Sequence, residues 1–325
     1  MGEPARIFVT GARGFVGTHV VRRALAAGHA VTGVVRELPE AVEPGVSYVT
    51  MTRLLAHPDL LAGATALVHA AAIRHRHGVG AREYQEANVE LVGQLLRASA
   101  GRVRRVVYVS SVGVYGFPRK LPVSERHPYA PATLYSATKV AAEKLVQGLG
   151  RELSLDVVIA RPCIVYGRGD RNGMMDKLAA MIRAGRYRLV GAGDNTLHHV
   201  HVDDASAALL ALALEPSAAG QDVIVAGPEW TTLRELSERV AEAVGRSLPR
   251  LHVPLGLARA VATVVDVAAY RGLAFHDSEP PINHEKLDVM TRSICFDVTK
   301  LRSLGFRPSV GYVEGIARTL GGPAA

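Results

Sequence analysis

The first twenty residues restrict the fold more than any other stretch. Ala5 to Thr10 is a short run of buried-strand character, and Gly11-Ala12-Arg13-Gly14-Phe15-Val16-Gly17 follows at once. A helical pattern then runs from about Thr18 to Ala27. Strand, glycine-rich turn and helix make the opening unit of a βαβ fold. The glycines allow a tight turn and let the backbone approach a pyrophosphate, while the helix start offers unpaired N–H groups and the positive end of its dipole. The plain alternative is an ordinary βα turn. Position at the head of the chain, directly after a strand, favours the phosphate reading. Gly11, Arg13, Gly14, Phe15, Val16 and Gly17 are therefore candidate cofactor-binding residues.

The chain continues as an alternation of strands and helices. Ala30 to Arg36 reads as the second strand. An acid at its end would suit a ribose 2′-hydroxyl and an arginine a 2′-phosphate. Val35-Arg36 stands there, so NADP(H) is favoured over NAD(H), with Arg36 as the contact and Arg13 as a second one. Val46 to Thr50 is a third strand, followed by a helix from about Thr52 to Ala62. Ala66 to Ala72 reads as a strand ending in small residues, Ala70 and Ala71 among them, against which a cofactor can lie. The basic loop Arg74-His75-Arg76-His77 reads as solvated ahead of contacting an anionic substrate. A helix from Ala81 to Ser99 carries Asn88. Arg105 to Ser111 is a strand ending in two hydroxyls, and Val112 to Pro131 is a loop. A helix bearing Tyr135 runs to about Leu149, and Asp156 to Pro162 is another strand. This order predicts an α/β fold, a doubly wound parallel Rossmann sheet.

After Pro162 the strands shorten: Tyr187 to Val190, His198 to Val202, Gln221 to Ala226. Thr232-Leu233-Arg234-Glu235 is a capping box opening a helix to about Val244. Leu255 to Tyr270 is an apolar helix that reads as core packing. The expected division is a dinucleotide-binding domain over 1–165 and, over 166–325, a smaller substrate-binding lobe interleaved with the last strands of the sheet.

Tyr135 and Lys139 lie four apart, on one face of a helix. A fixed ammonium beside a phenol favours the phenolate and lowers its pKa from about 10, giving a proton donor and acceptor near neutral pH. Composition limits the setting. A net charge of +8 could suggest nucleic acid, but the arginines are scattered, with no basic tract or aromatic-interleaved stripe. No apolar run approaches the roughly 20 residues of a membrane span. The N-terminus lacks the parts of a signal peptide. Cys163 and Cys295 have no disulfide-framework or metal-ligand spacing, so no metal is expected and the protein reads as cytoplasmic. Neither nucleic acid nor membrane is an expected partner; a small-molecule substrate is.

Taken together, the motifs resemble those of the extended short-chain dehydrogenase/reductases, the group that includes NAD-dependent epimerase/dehydratases and 3β-hydroxysteroid dehydrogenase-like enzymes. Thr10 to Gly17 resembles TGxxGxxG, His69-Ala70-Ala71-Ala72 the segment near the nicotinamide ribose, and Ser110 to Gly116 the SSxxVYG block. Tyr135 and Lys139 match YxxxK, Arg161 to Gly167 RPxxxYG, and Val200 to Asp204 VHVDD. Phe296 to Lys300 and Leu304 to Pro308 match the terminal FDxxK and LGFxP. The resemblance implies catalytic Ser111, Tyr135 and Lys139. Tyr135 exchanges the proton, Lys139 lowers its pKa and bonds the ribose, Ser111 holds the substrate oxygen, and hydride passes between nicotinamide C4 and the carbinol carbon. It also implies Asn88, Pro162 and Ile164 as cofactor neighbours, and a homodimer. Val112 and Gly113 stand where dehydratases need an acidic pair, and Cys163-Ile164 where many epimerases hold an asparagine. A ketoreductase acting on a partly apolar secondary alcohol or ketone is the expected activity. The alternative is a sugar-nucleotide epimerase or 4-ketoreductase, its diphosphate held by Arg74 to His77, Arg168 and Arg171.

Overall fold

The computed structural model describes residues 4–74, 78–170, 173–249, 252–271, 280 and 282–321. The expected alternation forms β1 (Arg6–Thr10), α1 (Phe15–Ala26), β2 (Ala30–Val35), β3 (Val46–Thr50), α2 (Met51–Ala56) and β4 (Ala64–His69). Then come α3 (Ala81–Gln85), a π-helical turn (Glu86–Glu90), α4 (Leu91–Ser99), β5 (Val103–Val109), α5 (Leu134–Glu152) and β6 (Asp156–Pro162). The remainder holds β7 (Ile164–Tyr166), α6 (Met174–Arg183), β8 (Thr196–Leu197), β9 (His199–His201), α7 (Val202–Leu214), β10 (Asp222–Val225) and β11 (Thr231–Thr232). It closes with α8 (Leu233–Ala243), α9 (Leu255–Tyr270), α10 (His284–Thr291), α11 (Thr299–Ser303) and α12 (Tyr312–Leu320).

Seven strands form one sheet in the order β10-β6-β5-β4-β1-β2-β3, and every pairing in it is parallel. Such a sheet is buried on both faces, which is why its strands read as near-continuous Val, Ile and Ala runs. Along β1, Ile7 and Val9 face one core with α1 and α7, while Phe8 faces the other with α4 and α5. The order reverses between β1 and β4. In open α/β sheets a ligand crevice lies at such a reversal, beyond the carboxyl ends of the strands.

Several boundaries differ from expectation for identifiable reasons. Helix α1 begins at Phe15, not Thr18, with Gly14 as its N-cap. Gly17 is therefore a helical residue rather than a turn residue. The helix packs so closely on the turn that a Cβ at Gly17 would stand 2.0 Å from the Gly11 carbonyl oxygen. The helix predicted over 52–62 stops at Ala56, because Pro58 cannot continue it and starts a 3₁₀ turn instead. Strand β4 ends at His69, so Ala70 to Ala72 leave the sheet. Tyr187 to Val190 contributes a single bridge, Val190 to Val253, and no strand. Helix α9 is not a core helix. Its alanine side, Ala258 and Ala262, packs with Val190 and Leu287, while Leu257, Val261, Val264 and Tyr270 are exposed.

After β7 the chain forms α6, then α7 returns to cover α1 and the sheet, and β10 adds to the edge of β6. A separate apolar cluster joins α6, α8 and α12. Among the described residues no helix is long and apolar enough to cross a membrane.

Candidate active site

The glycine turn provides a cradle at the crevice. Gly11 takes φ +66°, a left-handed conformation, and a Cβ there would lie 2.9 Å from the Ala71 backbone nitrogen. Helix α1 starts without a capping side chain or an acidic first-turn residue, and its first N–H groups have no helical partners. These are the requirements for a pyrophosphate seated on backbone, so a dinucleotide fits the residues present. Phe15 and Val16 are half-buried in the first turn of α1, and Arg13 is exposed in the loop. Arg36 is exposed one residue beyond β2.

Thr10, at the end of β1, organises the next wall. Its hydroxyl lies 2.7 Å from His69 Nδ1 and accepts from the Ala71 N–H at 3.2 Å. Burial pushes the His69 pKa down to about 3, helped by the Lys139 charge, so the ring is neutral. It stacks on Tyr108 at 5.9 Å. Asn88, in the π turn, is buried and spends its amide on structure. Its Oδ1 accepts from Ile73 N–H at 2.8 Å, and its Nδ2 donates to the Ile73 carbonyl at 3.0 Å and to Thr138 at 3.3 Å. It thus fixes the strand-end loop against α5. Pro162 is buried, whereas Ile164 is 37% exposed.

The Thr133 and Ser136 side chains form a capping box that starts α5, which places Tyr135 in its first turn. Lys139, one turn on, is buried. Its ammonium donates to the Val109 carbonyl at 2.8 Å and lies 4.8 Å from the Tyr108 ring centroid and 5.8 Å from that of Tyr135. Ser111 stands two residues beyond Val109. Its Oγ accepts from the Gly113 N–H at 3.1 Å, capping a 3₁₀ turn over Val112–Tyr115. With Oγ used as acceptor, the hydroxyl proton is the part left to donate.

One electrostatic expectation is reversed. Burial pushes Tyr135 up to about 12, with the Arg74 charge opposing. Burial also pushes Lys139 down to about 7, with Glu143 opposing. The expected lowering of the phenol is absent, because desolvation outweighs a cation that lies over the ring and is itself only partly charged at neutral pH.

Sequence reasoning missed the support behind this site. Glu143, one turn beyond Lys139, is fully buried and accepts both Arg161 Nε (3.0 and 3.1 Å) and Nη2 (2.6 Å). It also accepts from Ser110 Oγ at 2.5 Å and Tyr129 Oη at 2.6 Å. Arg161 donates further to Tyr115, Tyr129 and Asp222. The available signal was the continuation of the four-residue spacing, 135, 139, 143. Arg168 is exposed and receives His19 on its carbonyl. His75, Arg76, His77 and Arg171 lie outside the described residues. Cys163 and Cys295 are buried free thiols, and the described residues hold no metal-binding cluster.

Comparison with known proteins gives the family and the fold. Residues 7–227 match the NAD dependent epimerase/dehydratase family. A UDP-glucose 4-epimerase of Mycolicibacterium smegmatis is 31% identical, with 97% of each chain covered. A 2-alkyl-3-oxoalkanoate reductase of Stenotrophomonas maltophilia is 29% identical, covering 98% of this chain and all of its own. Among solved structures, MoeE5 in complex with UDP-glucose and NAD superposes with a TM-score of 0.76 at 25% identity, with 98% of each chain covered.

Proposed function

The chain belongs to the NAD-dependent epimerase/dehydratase family, and from that premise we propose that it is an NAD(P)-dependent ketoreductase. The observation that carries this reading is the Lys139 contact with the Val109 carbonyl, which draws the Tyr135 helix to the strand end bearing Ser111. When bound, the nicotinamide supplies or accepts the hydride. Tyr135 donates its phenolic proton to the carbonyl oxygen as the ketone is reduced and takes it back in the reverse direction. A phenol held protonated by burial, up to about 12, suits the donor role. Ser111 donates a hydrogen bond from its hydroxyl to the same oxygen, keeping its proton, and orients it. Lys139 fixes the tyrosine helix and bonds the ribose.

Gly11, Gly14, Gly17 and the start of α1 hold the pyrophosphate, flanked by Arg13, Phe15 and Val16. Ala70, Ala71, Pro162 and Ile164 line the nicotinamide side, and Asn88 acts by fixing Ile73. Residues after 166, apart from α7 and β10, form the substrate lobe. NADP(H) is favoured because Arg36 stands directly after β2, with no acid until Glu37; NAD(H) is the alternative. Replacing Arg36 by alanine is expected to weaken NADP(H) at least about tenfold more than NAD(H), a loss typical of one charged hydrogen bond. Equal effects in a binding titration would remove the NADP assignment.

The decisive test of mechanism is Tyr135→Phe. Turnover is expected to fall about 10²- to 10⁴-fold, with cofactor affinity held within about twofold. Retained turnover would remove Tyr135 as the acid/base. A second reading, sugar-nucleotide 4-epimerisation, is favoured by the relative named for that reaction. An epimerase turns over without net consumption of reduced cofactor, whereas a ketoreductase consumes one equivalent per product, so cofactor absorbance separates the two.

A further inference from the structure

The loop after β4 carries one side chain that the reaction above does not use. Arg74 is exposed, yet its carbonyl and the residue before it are anchored by buried side chains. Buried Asn88 bonds both the N–H and the carbonyl of Ile73, and buried Tyr84 donates its hydroxyl to the Arg74 carbonyl at 3.1 Å. A solvated loop arginine gains nothing from such anchoring. A cation that must stand at one place does.

The guanidinium reaches from this loop to the loop after β7. There its Nη1 donates to Asp170 Oδ1 at 3.1 Å. Arg74 remains 66% exposed in that contact, while the Asp170 side chain is 8% exposed. Among the described residues this is the one hydrogen bond of a fork that offers five N–H donors. Arg74 is also the cation whose charge reaches the buried phenol of Tyr135. A carboxylate is thus already bound between the loop after β4 and the loop after β7, on a segment that Asn88 ties to Thr138 of the Tyr135 helix, with donors to spare for a second.

We propose that Arg74 binds a carboxylate carried by the ketone substrate itself, sharing or exchanging its contact with Asp170, so that the preferred substrates are oxo acids. This rests on the ketoreductase reading. Guanidinium matches carboxylate geometry in a planar, two-point contact that an ammonium cannot reproduce. The anchored backbone holds that contact in one place relative to α5, through Asn88 and Thr138, so an oxo acid is met by a fixed cation and the fixed Tyr135 helix. Asp170 lies under opposing influences, with burial raising its pKa and Arg74 lowering it. It competes for the same cation and holds the site closed to weak anions.

The experiment compares a medium-chain 3-oxo acid with its methyl ester, using the full chain and NADPH. The readout is the ratio of kcat/KM for acid over ester in wild type, Arg74→Ala, Arg74→Lys and Asp170→Asn. Wild type is expected to prefer the acid. Arg74→Ala should lower the ratio about 10- to 100-fold, the range for a charged hydrogen-bonded contact. Arg74→Lys should restore part of it, and Asp170→Asn should raise it. An unchanged ratio in Arg74→Ala, or no acid preference in wild type, overturns the proposal while leaving the ketoreductase reading standing. If neither compound is reduced, calorimetric titration of the 3-hydroxy acid into the protein with NADP⁺ decides. Binding lost in Arg74→Ala supports the carboxylate site, and binding that is absent or independent of Arg74 sinks the proposal.

Discussion

At the scale of the residue, Lys139 shows how burial is used. The ammonium has one backbone acceptor and two aromatic rings around it, and burial lowers its pKa from 10.5 to about 7. The sign of the resulting pH dependence is fixed. Between about pH 7 and 10.5 the unfolded chain holds a proton on this lysine that the folded chain has released. Stability rises with pH wherever the unfolded state binds more protons, by at most about 1.4 kcal/mol per pH unit for one group. Below about pH 7 both states are charged and the penalty of burying the charge is complete. The stability of wild type relative to Lys139→Met is therefore expected to rise as pH is raised from about 6 to about 9. Urea unfolding of both proteins across that range checks it; a difference that stays flat would mean the ammonium is not desolvated. The YxxxK spacing was readable in the sequence. The direction of the tyrosine shift was not, because desolvation belongs to the packed site and not to the four-residue interval.

At the scale of the element, α5 is fastened to the sheet by charge as well as by packing. Val146 and Leu149 bury one side of the helix, and Glu143 meets Arg161 of β6 where both are fully buried. Because Ser110 bonds the same carboxylate, the helix bearing Tyr135 and the turn bearing Ser111 share one anchor. Removing one member of a buried pair leaves an uncompensated charge and costs about 3–5 kcal/mol, whereas removing both costs much less. Glu143→Gln and Arg161→Met are each expected to destabilise by that amount, and the double variant by clearly less than their sum. Denaturant unfolding of the four proteins measures the coupling, and strict additivity would show that the pair does not act as a unit. Element order was readable from period and turn chemistry: β1, α1, β4, α5 and β6 appear in the expected order, with the ends of α1 and β4 shifted by about three residues. The network behind them was not, since Arg161 meets Asp222 only through the parallel pairing of β6 with β10, and Glu143 reaches Arg161 from α5 packed on β6.

At the scale of the molecule, the chain is not two beads on a string. Leaving the sheet after β6, it builds part of the lobe and then returns, so that α7 covers α1 and β10 closes the edge of β6. The terminal segment is tied back in turn. Asp204 of α7 accepts the N–H groups of Ser309 and Val310, each at 2.8 Å, and the Tyr312 hydroxyl lies 3.0 Å from His199 Nδ1. The shorter strands after Pro162 suggested interleaving with the last strands of the sheet, but not which strand pairs with which. Nothing in a local pattern tells β10, four residues long, that its partner is β6. Such a topology links the stability of the sheet to residues far beyond it. A fragment of residues 1–165 would expose Val20, Val21 and Ala24 of α1, together with the β5 and β6 side chains that α7 covers. Apolar area removed from water is worth about 25 cal/mol per Å², so uncovering the part of the sheet face and of α1 that α7 covers costs an amount comparable with the roughly 5–15 kcal/mol that holds a domain folded. The full chain is therefore expected to unfold in one calorimetric transition, and the 1–165 fragment to show none and to aggregate. A fragment that melts cooperatively on its own would mean that the first six strands form a self-sufficient domain, with the returning elements added to an already stable sheet.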